Sequence, residues 1–122
     1  MEKKKKVLIV DDEVDIVKTL TYILEREGYA VYGAVDGTEG LEKVTQHMPD
    51  LIILDLRLPL LPGEEVCRRI RKDEATAKIP IIMLTAKDLD VDRVIGKVIG
   101  ANYYITKPFD IKDLLGKIKS LI

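Results

Sequence analysis

The sequence predicts an α/β fold in which five parallel strands alternate with five helices in a doubly wound (βα)5 sheet. Five short apolar runs recur along the 122 residues, and a segment with helical spacing of apolar residues follows each. Three runs lack polar/apolar alternation, as expected for strands that are buried on both faces. Right-handed crossovers then place helices on both sides of the sheet. The runs cover residues 7–10, 30–35, 51–54, 79–84 and 103–106.

The first two helices have recognisable ends. The apolar residues of the first helix share one side: Val17, Leu20 and Leu24. Gly28 is expected to end this helix, because glycine adopts the left-handed conformation that helix ends require. The run Val31-Tyr32-Gly33 is the weakest strand signal, which favours an edge of the sheet. Asp36 and Thr38 are the candidate caps of the second helix.

The later helices differ in strength. The third begins with acidic residues and ends with basic ones, which matches the helix dipole: Glu64, Glu65, Arg71 and Lys72. The fourth carries the β-branched residues Val91, Val94, Ile95 and Val98. Gly96 interrupts it, so its helix propensity is poor, which suits a segment that must shift. Asp110 is a plausible cap for the fifth helix.

Composition limits the class of protein. Residues 1–122 fit one domain with a sizeable core, and we expect a single domain without an output domain. The net charge of −1 offers no reason to expect nucleic acid or an anionic membrane as direct partner. The single cysteine, Cys67, suits a reducing compartment and is expected in the core. The charged N-terminus and short apolar run do not resemble a signal peptide, which favours a cytoplasmic protein.

Polar residues follow four of the five runs. Asp11 and Asp12 follow the first, Asp55 the third, Thr85 the fourth and Lys107 the fifth. Ligands of open parallel sheets bind beyond the carboxyl ends of the strands. The sequence therefore predicts three carboxylates, one hydroxyl and one ammonium at the same edge.

This set of groups indicates phosphoryl chemistry. Clustered carboxylates repel one another unless a cation joins them, and oxygen ligands without histidine or thiol favour Mg²⁺, with Mn²⁺ as an alternative. A carboxylate beside Mg²⁺ can attack phosphorus and form an aspartyl phosphate. Lys107 and Thr85 would then stabilise the charge on the phosphoryl oxygens.

Four motifs in order give the chain a family resemblance. They are Val10-Asp11-Asp12-Glu13, Leu54-Asp55 with Pro59 and Gly63, Leu84-Thr85-Ala86, and Tyr104-Ile105-Thr106-Lys107-Pro108-Phe109. With these motifs the sequence resembles, over essentially its whole length, the chemotaxis-regulator-like receiver domain of two-component response regulators. The resemblance implies a flavodoxin-like sheet with strand order 2-1-3-4-5.

The resemblance also implies roles for the acidic residues. Asp55 would accept a phosphoryl group from the phosphohistidine of a histidine kinase or histidine phosphotransfer protein. Asp12, Asp55 and the backbone carbonyl of Arg57 would bind Mg²⁺ directly, and Asp11 would hold it through water. The chain would not be an enzyme beyond phosphorylating itself from a phosphodonor and dephosphorylating itself.

The resemblance also implies a switch that involves the residues after the fourth and fifth strands. Lys107 and Thr85 would contact the phosphoryl oxygens, and a cis peptide bond before Pro108 would orient Lys107. Thr85 and Tyr104 would be the switch pair; the less favoured alternative is that Tyr104 is only a half-buried strand aromatic. The face made by the fourth helix, fifth strand and fifth helix would control a separate effector protein. Asn102 and Tyr103 replace an acidic pair common in one subclass, so we expect a monomer or a weak phosphorylation-dependent dimer.

Three alternatives make different demands. A haloacid-dehalogenase-type phosphatase would place its nucleophile at Asp11 and a second aspartate where Glu13 stands, and would leave Asp55 unexplained. An FMN-binding flavodoxin needs a phosphate cradle of N–H groups after the first strand, where the acidic residues would repel phosphate. A degenerate receiver would lack a site residue, and none is lacking.

His47, without a second metal-binding side chain nearby, is expected to be solvent-exposed in a loop.

Overall fold

The predicted five-stranded parallel sheet is present. A computed structural model describes residues 3–85 and 100–122. All strand pairs are parallel, and the strand order is β2-β1-β3-β4-β5, which confirms the predicted 2-1-3-4-5 topology. The strands are β1 (Lys6–Val10), β2 (Ala30–Ala34), β3 (Leu51–Asp55), β4 (Ile81–Thr85) and β5 (Tyr103–Thr106).

The helices described are α1 (Val14–Arg26), α2 (Gly37–His47), α3 (Gly63–Lys72) and α4 (Ile111–Leu121). Helix α4 corresponds to the fifth helical segment of the sequence. The fourth predicted segment, with Gly96, lies outside the described residues. None of the helices in the described ranges is long and apolar enough to cross a membrane.

Three of the predicted capping residues lie at the ends of helices. Gly28 follows α1 with φ of 97°, a conformation that glycine adopts without steric cost. Oδ1 of Asp36 accepts a hydrogen bond from the backbone N–H of Glu39 at 2.8 Å, so Asp36 rather than Thr38 caps α2. Asp110 caps α4 through the N–H of Lys112.

Two apolar clusters lie on opposite faces of the sheet, because consecutive strand residues point to opposite sides. Leu8 and Val10 pack on the side of α2 and α3, whereas Val7 and Ile9 pack on the side of α1 and α4. Cys67 is fully buried in the first cluster, as predicted. Among the described residues, apolar side chains therefore cover both faces of the sheet, and the carboxyl-terminal ends of the strands remain available for a site.

The expectation for His47 is wrong. His47 is the last residue of α2 rather than part of a loop, and it is half-buried. Its ring stacks on that of Tyr32 of β2, with 3.8 Å between centroids and 15° between planes. Helix α2 continues to His47 because the left-handed turn falls one residue later, at Met48 with φ of 45°.

Candidate functional site

The strand register brings the predicted polar residues together at the carboxyl-terminal ends of the strands. This end of the sheet is the edge at which the site lies. Val10 of β1 is paired with Leu54 of β3, so Asp11 and Asp55, the next residue in each chain segment, lie at the same level. Thr85 and Thr106 pair at the ends of β4 and β5, and Lys107 follows directly. The edge thus forms because each polar residue stands at, or one residue beyond, the end of its strand.

A cluster of three carboxylates lies at this edge. Asp11, Asp12 and Asp55 each offer an oxygen, and these oxygens all lie within 4.8 Å of one another. Asp11 is fully buried and Asp55 is 4% exposed, whereas Asp12 is exposed. Two of the three charges are therefore shielded from water, so their mutual repulsion is only weakly screened.

Asp11 and Asp55 are held in the same way. Oδ1 of Asp11 accepts a hydrogen bond from the backbone N–H of Glu13 at 2.9 Å. Oδ1 of Asp55 accepts one from the N–H of Arg57 at 3.0 Å. Each aspartate thus bonds the backbone two residues on, a local turn that suits this residue type. In both carboxylates, Oδ1 is fixed and Oδ2 faces the ammonium of Lys107.

The Lys107 ammonium joins the carboxylates. Its Nζ lies 2.9 Å from Oδ2 of Asp11, 3.0 Å from Oε1 of Glu13 and 3.3 Å from Oδ2 of Asp55. Burial alone would lower the pKa of Lys107, but the contacts with Asp11 and Glu13 and the charge of Asp55 outweigh it and raise the pKa. Lys107 is therefore a permanent cation at the site.

The pKa of Asp55 is also raised, but for a different reason from that of Lys107. Burial raises its pKa from 3.8 to about 6, and the charge of Asp11 acts in the same direction. The N–H of Arg57 and the ammonium of Lys107 oppose this rise in the pKa. The carboxylate form of Asp55 is thus less stabilised than that of an ordinary exposed aspartate, and a further cation would stabilise it.

An open cleft of about 260 Å³ leads to the carboxylate of Asp55. Asp12, Glu13, Asp55, Arg57 and Lys107 line it. All five are charged residue types, so the cleft suits a small polar or charged ligand rather than an apolar one. A small anionic group could enter between the acidic residues and Lys107, provided that a cation offsets the carboxylates.

Gly63 allows the loop after β3 to fold over the site. Its N–H donates to the carbonyl of Leu56 at 3.0 Å. A Cβ at this position would lie 2.1 Å from the backbone oxygen of Asp55 and 2.7 Å from Cα of Leu56. Because these are backbone atoms, only glycine fits, and the close approach fixes the backbone of Asp55.

The cluster fits a hard divalent cation such as Mg²⁺. Its donor atoms are all carboxylate oxygens, which Mg²⁺ prefers. Lys107 carries one positive charge and lies 2.9 Å from Oδ2 of Asp11, 3.0 Å from Oε1 of Glu13 and 3.3 Å from Oδ2 of Asp55. One ammonium cannot offset all of these carboxylates and Asp12, so a further cation would reduce the repulsion that remains.

Thr85 and Tyr104 lie on adjacent strands near this edge. Thr85 is fully buried, and its carbonyl accepts a hydrogen bond from the backbone N–H of Lys107 at 2.8 Å. Tyr104 is half-buried and packs against the cluster on the α2 and α3 side. The peptide bond between Lys107 and Pro108 is cis, as predicted. The structure therefore brings together the side chains of Asp11, Asp12, Asp55 and Lys107, and the backbone of Thr85 is hydrogen-bonded to the backbone of Lys107.

Two contacts were not expected from the sequence. Glu13 pairs with Lys107 across the mouth of the cleft. The position of Glu13 directly after the Asp11-Asp12 pair was the feature of the sequence that could have indicated this contact. At the opposite edge of the sheet, the guanidinium of Arg71 donates to Oδ1 of Asn102 at 3.1 Å. Asn102, which replaces a common acidic residue, also accepts from the N–H of Ile81 at 2.8 Å.

Comparison with known proteins agrees with this geometry. The family model for the response regulator receiver domain matches residues 7–119. The chain is 48% identical over 118 residues to the alkaline phosphatase synthesis transcriptional regulatory protein PhoP of Bacillus subtilis (strain 168). The match covers 97% of this chain and 48% of PhoP, so the chain spans about half the length of that relative.

Solved structures match over nearly the whole chain. Chemotaxis protein CheY4 of Vibrio cholerae has a TM-score of 0.91 at 32% identity, and the match covers 98% of this chain and 100% of that one. A CheY-like response regulator receiver domain protein from Methanospirillum hungatei JF-1 has a TM-score of 0.90 at 36% identity, with coverages of 97% and 93%. The BeF3-activated N-terminal receiver domain of Klebsiella pneumoniae RstA has a TM-score of 0.88 at 26% identity, with coverages of 96% and 97%.

The family match spans far more than half of the chain, and the fold agrees with it in strand order. Neither the phosphatase nor the flavodoxin alternative is compatible with this family assignment. The chain belongs to the response regulator receiver domain family of two-component systems.

Proposed function

We propose that the chain is a phosphorylation-operated switch in which Asp55 accepts a phosphoryl group. The observation that carries the proposal is the position of Asp55, at the floor of the acidic cleft with the Lys107 ammonium 3.3 Å from its Oδ2. This position offers a nucleophilic carboxylate and a cation for the incoming charge within one small space. The donor is a phosphohistidine on a histidine kinase or histidine phosphotransfer protein.

The transfer breaks one bond and forms one. An oxygen of Asp55 attacks phosphorus while the P–N bond of the phosphohistidine breaks, and the electron pair of that bond remains on the departing imidazole nitrogen. Lys107 and the Thr85 hydroxyl stabilise the charge on the phosphoryl oxygens. Self-phosphorylation and hydrolysis of the resulting acyl phosphate are the only reactions proposed, so the chain turns over no separate substrate.

The carboxylates hold the metal that this chemistry needs. Asp12, Asp55 and the backbone carbonyl of Arg57 would hold Mg²⁺ directly and Asp11 would hold it through water, with Mn²⁺ as an alternative ion. When bound, the ion would supply positive charge beside the phosphoryl oxygens. Asp11 and Asp55 support this arrangement because backbone N–H groups already fix one oxygen of each carboxylate.

The response passes from Asp55 to the face that binds an effector protein. A new phosphoryl oxygen accepts a hydrogen bond from Thr85, whose movement makes room for the ring of Tyr104. This rotation alters the surface that includes β5 and α4, which are the described part of the face expected from the sequence. The effector is a protein rather than nucleic acid or a membrane, in keeping with the net charge of −1 and a cytoplasmic setting.

Acetyl phosphate with Mg²⁺ tests the acceptor. We expect one phosphoryl group per chain, released by hydroxylamine as an acyl phosphate is. Asp55→Asn abolishes the uptake because an amide does not attack phosphorus. Asp15→Asn, at an exposed position in the first turn of α1, is the matched control and keeps full uptake. Equal uptake by Asp55→Asn and the wild type would refute the assignment.

NMR with beryllofluoride, a phosphoryl mimic, tests the switch. Chemical shift changes are expected around Asp55 and also at positions 88–107 and in α4. Asp55→Asn should show neither set. Changes confined to the neighbours of Asp55 would leave the acceptor chemistry in place but contradict the proposed Thr85–Tyr104 switch.

A further inference from the structure

Glu13 lines the cleft, but the proposed chemistry does not use it. It is the N-cap residue of α1, yet its side chain makes no capping hydrogen bond. Its Oε1 instead lies 3.0 Å from Nζ of Lys107. Glutamate is not among the favoured N-cap residues, so the Glu13 carboxylate is available to interact with Lys107 instead of its own helix.

The ammonium of Lys107 has three protons, and three carboxylates surround it. Asp11, Glu13 and Asp55 lie at 2.9, 3.0 and 3.3 Å from its nitrogen. An oxygen that approaches Lys107 must therefore replace one of these partners.

Exposure decides which partner leaves. The side chains of Asp11 and Asp55 are 0% and 6% exposed, and Asp55 also carries the incoming group, so neither can exchange Lys107 for bulk water. The Glu13 side chain is 59% exposed and becomes hydrated when it leaves. An exposed ion pair is weak, so this exchange costs least.

We propose that Glu13 is a positioning residue that holds Lys107 in the resting site and competes with the phosphoryl group for it. The inference rests on the proposed function of Asp55 and adds a residue that sets how readily the site takes an anion. Glu13 does not touch the reacting atoms. It acts through Lys107, and it gives way when a phosphoryl oxygen takes its place.

Beryllofluoride affinity at saturating Mg²⁺, measured by calorimetry, tests the proposal with three variants. Glu13→Gln removes both the charge and the ion pair. Glu13→Asp keeps the charge, but its carboxylate is one methylene shorter and is expected to turn to the N–H groups of α1, as aspartate does at an N-cap. Asp15→Asn removes a charge from the same helical turn and is the control.

Competition for Lys107 predicts that Glu13→Asp and Glu13→Gln both bind beryllofluoride about threefold to fivefold more tightly than the wild type, the upper part of the range expected for one exposed ion pair. Asp15→Asn is expected to stay within about twofold of the wild type, because exposed charges farther from the site are screened. In metal-free protein, the ¹⁵N shift of the Lys107 ammonium should change in both Glu13 variants and not in Asp15→Asn.

If Glu13→Asp binds no more tightly than the wild type, the effect is one of net charge or is absent, and the proposal is overturned. Thermal unfolding of each variant checks that the fold is kept. Wild-type protein that binds no beryllofluoride with Mg²⁺ would refute the proposed function itself. Wild-type binding that is unchanged in Glu13→Asp would refute only the role of Glu13.

Discussion

The ammonium of Lys107 lies 3.3 Å from Oδ2 of Asp55, yet this ion pair does not return the pKa of Asp55 to its ordinary value. Burial is the largest influence and raises the pKa to about 6. The resting site therefore holds a carboxylate whose charged form is destabilised. This relationship has a consequence for stability that can be measured without any phosphodonor.

Metal-free protein is expected to lose stability as pH rises between 3.8 and about 6, the unfolded and folded pKa values of Asp55. The folded state binds the proton more tightly than the unfolded state, so the stabilisation is complete below the lower pKa and lost above the higher one. Asp55→Asn removes this dependence and raises the free energy of unfolding at pH 8 by about 1–3 kcal/mol.

Urea unfolding in EDTA at pH 5 and pH 8 measures this effect. The wild type and Asp15→Asn should lose more stability between the two values than Asp55→Asn does. An equal loss in Asp55→Asn would mean that the burial of Asp55 carries no cost in the folded protein.

Mg²⁺ is expected to stabilise the wild type and to do so less effectively in Asp12→Ala. A ligand that binds only the folded state adds about 1.4 kcal/mol when present at roughly ten times its dissociation constant. Removing one carboxylate should raise the Mg²⁺ concentration needed for a given rise in Tm about tenfold, because one of the proposed direct ligands is lost. It should also raise the metal-free Tm, because like-charge repulsion falls.

Thermal unfolding at increasing MgCl2, with NaCl matching the ionic strength, separates binding from screening. Equal Mg²⁺ dependence in Asp12→Ala and the wild type would exclude Asp12 from the metal ligands.

Gly63→Ala is expected to destabilise the protein by about 2–4 kcal/mol, because the added Cβ would meet the backbone of Asp55 at 2.1 Å and nothing flexible can yield. The matched control is Gly116→Ala in α4, where nothing lies within 4 Å of the added Cβ. That change should stabilise by about 0.5–1 kcal/mol, since alanine favours helix. Chemical denaturation of both variants is the measurement. Effects of the same sign in both would contradict the close packing at Gly63.

The parts of the fold that repeat apolar patterns were predictable from the sequence. A strand buried on both faces, such as β3, is apolar throughout, so the polar residue that ends it is conspicuous. Asp55 stands out for this reason, and the parallel topology then carries Asp11 and Lys107 to the same edge. Caps such as Asp36 were predictable because the interaction spans only three residues.

Contacts made by long side chains were not predictable in this way. The direction of Glu13 depends on a competition between its own helix and Lys107, which lies 94 residues away in the chain. The stacking of His47 on Tyr32 depends on where α2 ends relative to β2. Such contacts follow from tertiary geometry, and apolar periodicity carries no information about them.

Arg71 joins α3 to the end of the sheet that lies opposite the cleft. Its guanidinium donates to the carbonyls of Ala77 at 3.0 Å, Ile79 at 2.7 Å and Gly100 at 3.0 Å. It also donates to Oδ1 of Asn102. Only the fixed fork of a guanidinium can satisfy several acceptors in this arrangement, so lysine would not replace it.

Arg71→Ala is therefore expected to destabilise the protein by about 2–4 kcal/mol, because several carbonyls lose a charged donor at once. Arg69→Ala in the same helix is the control. Arg69 makes an exposed ion pair with Glu65, so its removal should cost less than about 1 kcal/mol.

In urea unfolding, the double variant Arg71→Ala/Asn102→Ala should lose less than the sum of the single losses, because the two side chains share a hydrogen bond. Phosphoryl uptake from acetyl phosphate should stay at wild-type stoichiometry in Arg71→Ala under conditions where this variant is folded. The reason is that Arg71 lies at the opposite end of the sheet from the carboxylates. Additive losses, or a cost no larger than that of Arg69→Ala, would show that this guanidinium does not hold α3 to the sheet.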